Sequence, residues 1–451
     1  MNKTFRGLMA LSLAFILGAC GGGKDANKDT DKDQKPETET SETAEPTDVS
    51  GKISVQVEEA WLPHYEEAAK RVKDKYPDAE IELKTIASFD HLDIIDQTDA
   101  SNEDVADLFA IPADRLYGLH KNDILGAIDS QTLQKEIGGW DDFDKGIGGN
   151  FKIDDEYFAF PYNIESLITY VNTANAKEKN VDIEKPIEIN DVADESTVLF
   201  PLFDAWYGVA ATNSSNIELL GKADDGSLFS DMTKEWKDLE PEKQATIKGL
   251  YDYWKKHHEA KTPLFDADAG WAYIDGTFTT GKGGVARIGG AWDVATISKQ
   301  AGEGNLAIKP IGNLTLAGKP LAHWQGGWGL AINARIEEDE NKVALANAMI
   351  KEIVNPEYAV DLFKATGKIL ENVNADTYAQ SDLSDSDKAV IAATIESYQN
   401  SPARPLFQEW GDVWDTYKNA ILSWNSTEPK NEEEAYNELK ASFDSMMANF
   451  N

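Results

Sequence analysis

The run Lys52-Ile53-Ser54-Val55-Gln56-Val57 alternates polar and apolar side chains, the two-residue period of a strand. Over 62–75 the period lengthens: Leu62, Tyr65, Ala68, Ala69 and Val72 share one face of a helix, and Tyr76-Pro77 stops it. Residues 79–86 alternate again. Strand, helix and strand in that order predict a βαβ unit, and a second follows, ending in the apolar run 105–111. Two such units predict an α/β domain with a mostly parallel sheet. Such sheets place ligands beyond the carboxyl ends of their strands, which makes Ala113-Asp114-Arg115 a candidate position.

Working outward, residues 163–322 mix strands and helices. A helix is predicted over 243–259, and short buried strands over 284–288 and 306–311. A strand-like run returns at 329–333, then a helix over 339–354. The end of the chain is strongly helical, over 407–424 and 432–450. No internal repeat is visible. The roughly 400 residues from Gly51 onward exceed one ordinary domain and suggest two.

Upstream of this body the chain changes character. Lys3 and Arg6 precede an apolar run over 8–17, closed by Leu17-Gly18-Ala19-Cys20. A basic start, a short apolar core and small residues at the cut describe an export signal. The run is too short for a membrane-spanning helix, which needs about 20 residues. Cys20 is the only cysteine, so it forms no internal disulfide. Its setting resembles a bacterial lipobox, which implies a mature chain that begins at a lipid-bearing Cys20 outside the cytoplasm, on the face of the cell membrane. Residues 21–50 hold only Ala26, Ala44 and Val49 as apolar side chains, and are expected to form a disordered tether. Asp29, Asp31 and Asp33 suggest a calcium loop, but Gln34 and Thr40 occupy the positions that need glycine and glutamate.

Charge narrows the partners. The chain carries 43 basic and 80 acidic residues, a net charge of -37. Such a surface repels nucleic acid and anionic lipid, which disfavours polyanionic ligands. Twelve tryptophans and 15 tyrosines, many beside polar residues, suit a ligand cleft as well as a core.

Five segments carry the clearest functional pattern. The first is Tyr157-Phe158-Ala159-Phe160-Pro161-Tyr162-Asn163-Ile164-Glu165-Ser166, and the second Phe203-Asp204-Ala205-Trp206-Tyr207-Gly208. A glycine-rich turn from Thr279 leads to Gly289-Gly290-Ala291-Trp292. Then come Trp324-Gln325-Gly326-Gly327-Trp328-Gly329-Leu330-Ala331-Ile332-Asn333 and Arg404-Pro405-Leu406-Phe407-Gln408-Glu409-Trp410-Gly411-Asp412-Val413-Trp414, running into Lys418. In this order and spacing, from residue 52 to the end, the chain resembles the extracellular solute-binding proteins of ABC importers, nearest the maltose/maltodextrin-binding group of lipoproteins.

The resemblance implies a two-lobe α/β fold of the periplasmic-binding-protein (Venus flytrap) kind, with discontinuous lobes that close on a sugar. It implies crossovers near Asn163, Trp324 and Ile369. The chain then divides into a signal peptide (1–19), a tether (20–50), a first lobe (51–162 and 324–369) and a second lobe (163–323 and 370–451). By the same resemblance Asp114 and Arg115 grip hydroxyls, Glu165 follows the first crossover, Phe203 stands at a stacking position and Trp206 matches a binding tryptophan. Trp292 and Trp414 match the two tryptophans that stack on pyranose rings, and Lys418 replaces an arginine. Pro201 stands in place of a sugar-binding glutamate, which leaves open whether Asp204 substitutes. Ile111 stands in place of a tryptophan. Trp61 competes between core and ligand, as do Trp324 and Trp328 between hinge and ligand. The chemistry agrees: indoles suit the C–H faces of a pyranose, and charged groups its hydroxyl rim.

The implied function is capture of an oligosaccharide, with maltodextrin favoured, and delivery to ABC permease subunits by a lipid-anchored monomer that does no chemistry and needs no cofactor or metal. Residues 276–283 approach a phosphate loop, but Gly283 replaces its Ser/Thr, and no βαβ context supports a dinucleotide fingerprint nearby. His257-His258-Glu259 lacks zinc-protease spacing, and no Gly-x-Ser-x-Gly elbow exists. The rivals are a secreted glycoside hydrolase, which needs two carboxylates about the glycosidic bond, and a binding protein for another solute: a polyamine, a peptide or a different oligosaccharide.

Overall fold

The computed structural model describes residues 49–450 apart from Asp224; the export signal, Cys20 and the tether up to residue 48 lie outside the described residues. Val49, read from composition as tether, is buried at 4% exposure, because an apolar side chain next to the first strand finds the core.

Strand β1 (Gly51–Val57), helix α1 (Leu62–Lys75) and strand β2 (Ala79–Thr85) form the expected βαβ unit, with β1 and β2 parallel over their whole length. On α1, Tyr65, Ala68, Ala69 and Val72 are buried, as the helical period requires. Helix α2 (Ser88–Gln97) follows, and β3 (Leu108–Pro112) pairs parallel to β1. Beside β3 lies a return strand, Gly326–Asn333, which arrives from far along the chain. It pairs antiparallel to β3, to Leu125–Gly126 and to the exit strand Phe160–Glu165. The expectation of a mostly parallel sheet is corrected here: the sheet is mixed. The return strand joins without a βαβ crossover, so nothing constrains it to run parallel. Its seat is tight. A Cβ on Gly327 would lie 1.9 Å from Ile147 Cδ1 and 2.1 Å from the Asn163 carbonyl oxygen, so only glycine fits there.

The second sheet has the order Val198–Leu199, Ala286–Gly289, Ile168–Asn172, Leu306–Pro310. Only its first pairing is parallel. The exit strand ends at Glu165 in one sheet, and Ile168 begins a central strand of the other. The chain comes back at Gly326. A third crossing passes Ile369, whose carbonyl accepts the Ile164 N–H at 2.9 Å. The helices Asp385–Gln399, Asp412–Thr427 and Glu432–Ala448 complete the second lobe. The molecule is therefore a two-lobe α/β fold with discontinuous lobes. Each sheet buries apolar side chains under helices, and Trp254 and Trp424, packed edge to face at 5.9 Å, anchor the core of the second lobe.

Candidate functional site

Where the lobes meet, a cleft of about 620 Å³ opens, a size typical of small-ligand sites. Asp114, Arg115, Glu165, Trp206, Trp292 and Trp414 all line it. Phe203 and Lys418 are not among its lining residues. Phe203 is 2% exposed, packed edge to face on Trp271 at 5.6 Å inside the second lobe. Lys418 is exposed, on the helix Asp412–Thr427, and its charge acts on Asp204.

Each lining side chain is set by the local fold. Asp114 and Arg115 lie in the single turn Ala113–Arg115 that ends β3, beyond its carboxyl end. Trp206 opens the helix Ala205–Ser214, whose first turn is capped by the Asp204 carboxylate accepting the Trp206 N–H at 2.9 Å. Asp204, the residue set against Pro201 above, caps this helix and is not among the cleft's lining residues; burial raises its pKa. Trp206 is further fixed by His323, whose Nε2 hydrogen bonds the Trp206 carbonyl at 2.8 Å and whose ring packs at 4.4 Å. Trp292 sits in the turn Ala291–Asp293, where the Asp293 carboxylate accepts the Gly290 N–H at 3.0 Å. Its indole folds back over Gly290, where a Cβ would lie 2.2 Å from the ring.

Two buried cations organise the aromatic groups. Arg404, 7% exposed, has its guanidinium 4.9, 5.5 and 6.0 Å from the rings of Trp206, Trp324 and Trp414. It also donates to Asp114 at 2.9 Å. Trp324, Trp410 and Trp414 pack on one another at 4.8–5.9 Å. Lys368, 9% exposed, lies 4.6, 4.8 and 5.0 Å from the rings of Trp61, Tyr162 and Trp328. Its ammonium donates to Asn163 Oδ1 at 3.0 Å. Burial lowers its pKa to about 8, against the opposing pull of Glu165 and Glu58. Burial raises the pKa of Glu165, with Lys368 and Arg404 pulling it back. Arg115 is held by Asp96 through bonds of 2.5 and 2.6 Å.

The cleft therefore carries Glu58, Asp114 and Glu165 against Arg115, Lys368 and Arg404: three negative groups and three positive ones. Five of the twelve tryptophans line it, namely Trp61, Trp206, Trp292, Trp328 and Trp414. Of the ambiguous tryptophans, Trp61 and Trp328 line the cleft, and Trp324 packs behind it at 2% exposure. Ile111 is fully buried. Sequence reasoning gave no role to Arg404, Lys368 or Phe89, all of which line the cleft. Arg404 offered a signal, a basic residue between Pro402 and Pro405 in a tryptophan-rich segment; Lys368 and Phe89 offered none. Among the described residues no cluster of His, Cys, Asp and Glu could hold a metal ion, and no helix is long and apolar enough to cross a membrane.

Two α/β lobes, three crossings between them and a cleft at the junction define a two-lobe fold with room for a ligand between the lobes. No protein-family model matches the chain, and no curated protein matches it in sequence. Solved structures do. The maltose-binding periplasmic protein MalE from Listeria monocytogenes, in complex with maltose, is 17% identical, with a TM-score of 0.68 over 89% of this chain and 99% of that one. MalX from Streptococcus pneumoniae, in complex with maltopentaose, is 20% identical, with a TM-score of 0.63 over 87% and 99%. An extracellular solute-binding protein from Staphylococcus aureus, in complex with maltose, is 16% identical, with a TM-score of 0.64 over 90% and 100%. At these identities the likeness is one of fold.

Proposed function

We propose that this chain is an extracellular, lipid-anchored solute-binding protein that captures an oligosaccharide, with maltodextrin as the favoured ligand, and delivers it to the permease subunits of an ABC importer. The observation that carries the reading is the cleft itself, with indoles from both lobes and balanced charged groups between them. Indole faces take the apolar C–H faces of pyranose rings, and Asp114, Glu165, Arg115 and Arg404 offer charged hydrogen-bonding partners to the hydroxyls. Closure of the lobes completes the site only when a ligand bridges both. The solved neighbours that hold maltose and maltopentaose support the choice of sugar.

The charge balance argues against a polyamine. A polycation needs uncompensated carboxylates, and here Asp114 is paired with Arg404 at 2.9 Å and Glu165 lies in the field of Lys368 and Arg404. Calorimetric titration against maltotriose, maltotetraose, other oligosaccharides and spermidine tests the reading. Heat from the maltodextrins with no new reducing ends is the expected result. Heat from spermidine alone would replace the ligand class, and release of reducing ends would make the protein a glycoside hydrolase.

The lipid anchor and the cell-surface location rest on the sequence around Cys20. Replacing Cys20 by Ser should move the protein from the membrane fraction to the medium with its solution affinity intact; a variant that still sediments with membranes would discredit the anchor.

A further inference from the structure

Among the described residues, three large hydrophobic side chains stand exposed: Phe89 at 63%, Phe229 at 47% and Trp292 at 50%. A single exposed apolar residue needs no explanation. Two of these three, Phe89 and Trp292, line the same cleft, and they come from opposite lobes. Phe89 belongs to α2 beside the first sheet, and Trp292 to the turn after a strand of the second.

Both are fixed at the base. Ser88, next to Phe89, is 1% exposed; its N–H donates to Glu58 Oε1 at 3.1 Å, and its hydroxyl accepts from Gln56 Nε2 at 3.2 Å. The Phe89 ring meets Trp328 edge to face at 5.4 Å and 80°. Trp292 is held by the turn that Asp293 closes on Gly290. The other cleft indoles are less free: Trp61 and Trp328 face the Lys368 ammonium, and Trp206 and Trp414 face Arg404. No cation lies over Phe89 or Trp292 among the described residues, and at 63% and 50% exposure each ring keeps surface to offer a ligand.

We propose that Phe89 is a ligand-binding residue, the first lobe's half of an aromatic clamp whose other half is Trp292, and that the clamp grips an outer pyranose ring of an oligosaccharide at the mouth of the cleft. The proposal rests on the sugar-binding reading above. It makes chain length the property that the clamp senses: a short sugar fills the inner cleft, and a longer one also reaches the mouth.

The test is calorimetry with maltose and maltotetraose on the parent, Phe89→Ala, Phe89→Trp, Trp292→Ala and the Phe89→Ala/Trp292→Ala double variant, with thermal midpoints as a check on folding. Phe89→Ala should weaken maltotetraose binding by about five- to tenfold, the range of one aromatic stacking contact, and change maltose binding by less than about twofold. Phe89→Trp should retain binding. The double variant should lose less than the product of the two single losses, because either half alone cannot grip. Parent-like binding of both sugars by Phe89→Ala, or equal loss for both, would overturn the clamp and leave the sugar-binding reading standing. A parent that binds neither sugar would overturn that reading and the clamp with it.

Discussion

Arg404 ties three parts of the site together. Its charge is compensated by Asp114 from the first lobe, and its planar face is covered by indoles from the second. A desolvated cation over an indole contributes on the order of 2 kcal/mol, so the arginine also stiffens the rings that line the cleft. Trp292 and Trp414 sit differently in this arrangement. Trp292 is half exposed, and Trp414 is partly buried against Trp410 at 4.8 Å. Trp292→Ala and Trp414→Ala should each weaken maltodextrin binding by about 1–3 kcal/mol in titration, the range for an aromatic anchor. Trp292→Ala should leave the melting temperature unchanged, and Trp414→Ala should lower it. Parent-like affinity in both variants would refute their assignment. At this scale the sequence identified residues that carry a pattern, such as Trp206 and Trp292 after their strands. It misplaced Phe203, because position in a motif does not say whether a ring turns toward the core or the cleft. It could not find Lys368, whose partners Trp61, Tyr162 and Trp328 are brought to it only by the fold.

At the scale of elements, legibility follows periodicity. The unit β1-α1-β2 was readable to within a residue or so, because alternation and the helical stripe are both strong there. The return strand begins at Gly326, three residues before its apolar run, because Gly326 and Gly327 have no side chains to alternate and owe their strand to pairing with Glu165 and Ile164. The helix expected over 407–424 begins at Asp412, after a tight turn over Gln408–Gly411. The direction of the return strand was not readable, although the parallel run of β1, β2 and β3 was. It depends on which lobe the chain comes from, a property of connections that local patterns do not encode.

At the scale of the molecule, burial of ionisable groups makes stability depend on pH. His91, His257 and His323 are essentially fully buried, and burial pushes their pKa values down to about 4, 3 and 3. In the unfolded chain each would titrate near its ordinary value of 6.5. As pH falls below that, the unfolded state binds protons that the folded state refuses, so stability falls. Each histidine can contribute up to about 1.4 kcal/mol per pH unit between about 6.5 and its folded value. Carboxyls with raised pKa, such as Glu165 and Glu371, act in the opposite sense over part of that range. Their resonances separate the effects: in NMR titration the three imidazoles should not shift between pH 7.5 and 5, and any of them titrating near 6.5 would contradict this account.

The central claim concerns the whole molecule: both lobes enclose a neutral sugar in the cleft they share. A crystal structure grown with maltotetraose tests it most directly. The account predicts pyranose rings against Trp206, Trp292 or Trp414, with hydroxyls within hydrogen-bond reach of Asp114 or Glu165. Sugar bound elsewhere on either lobe, with this cleft left unoccupied at saturating ligand, would contradict it.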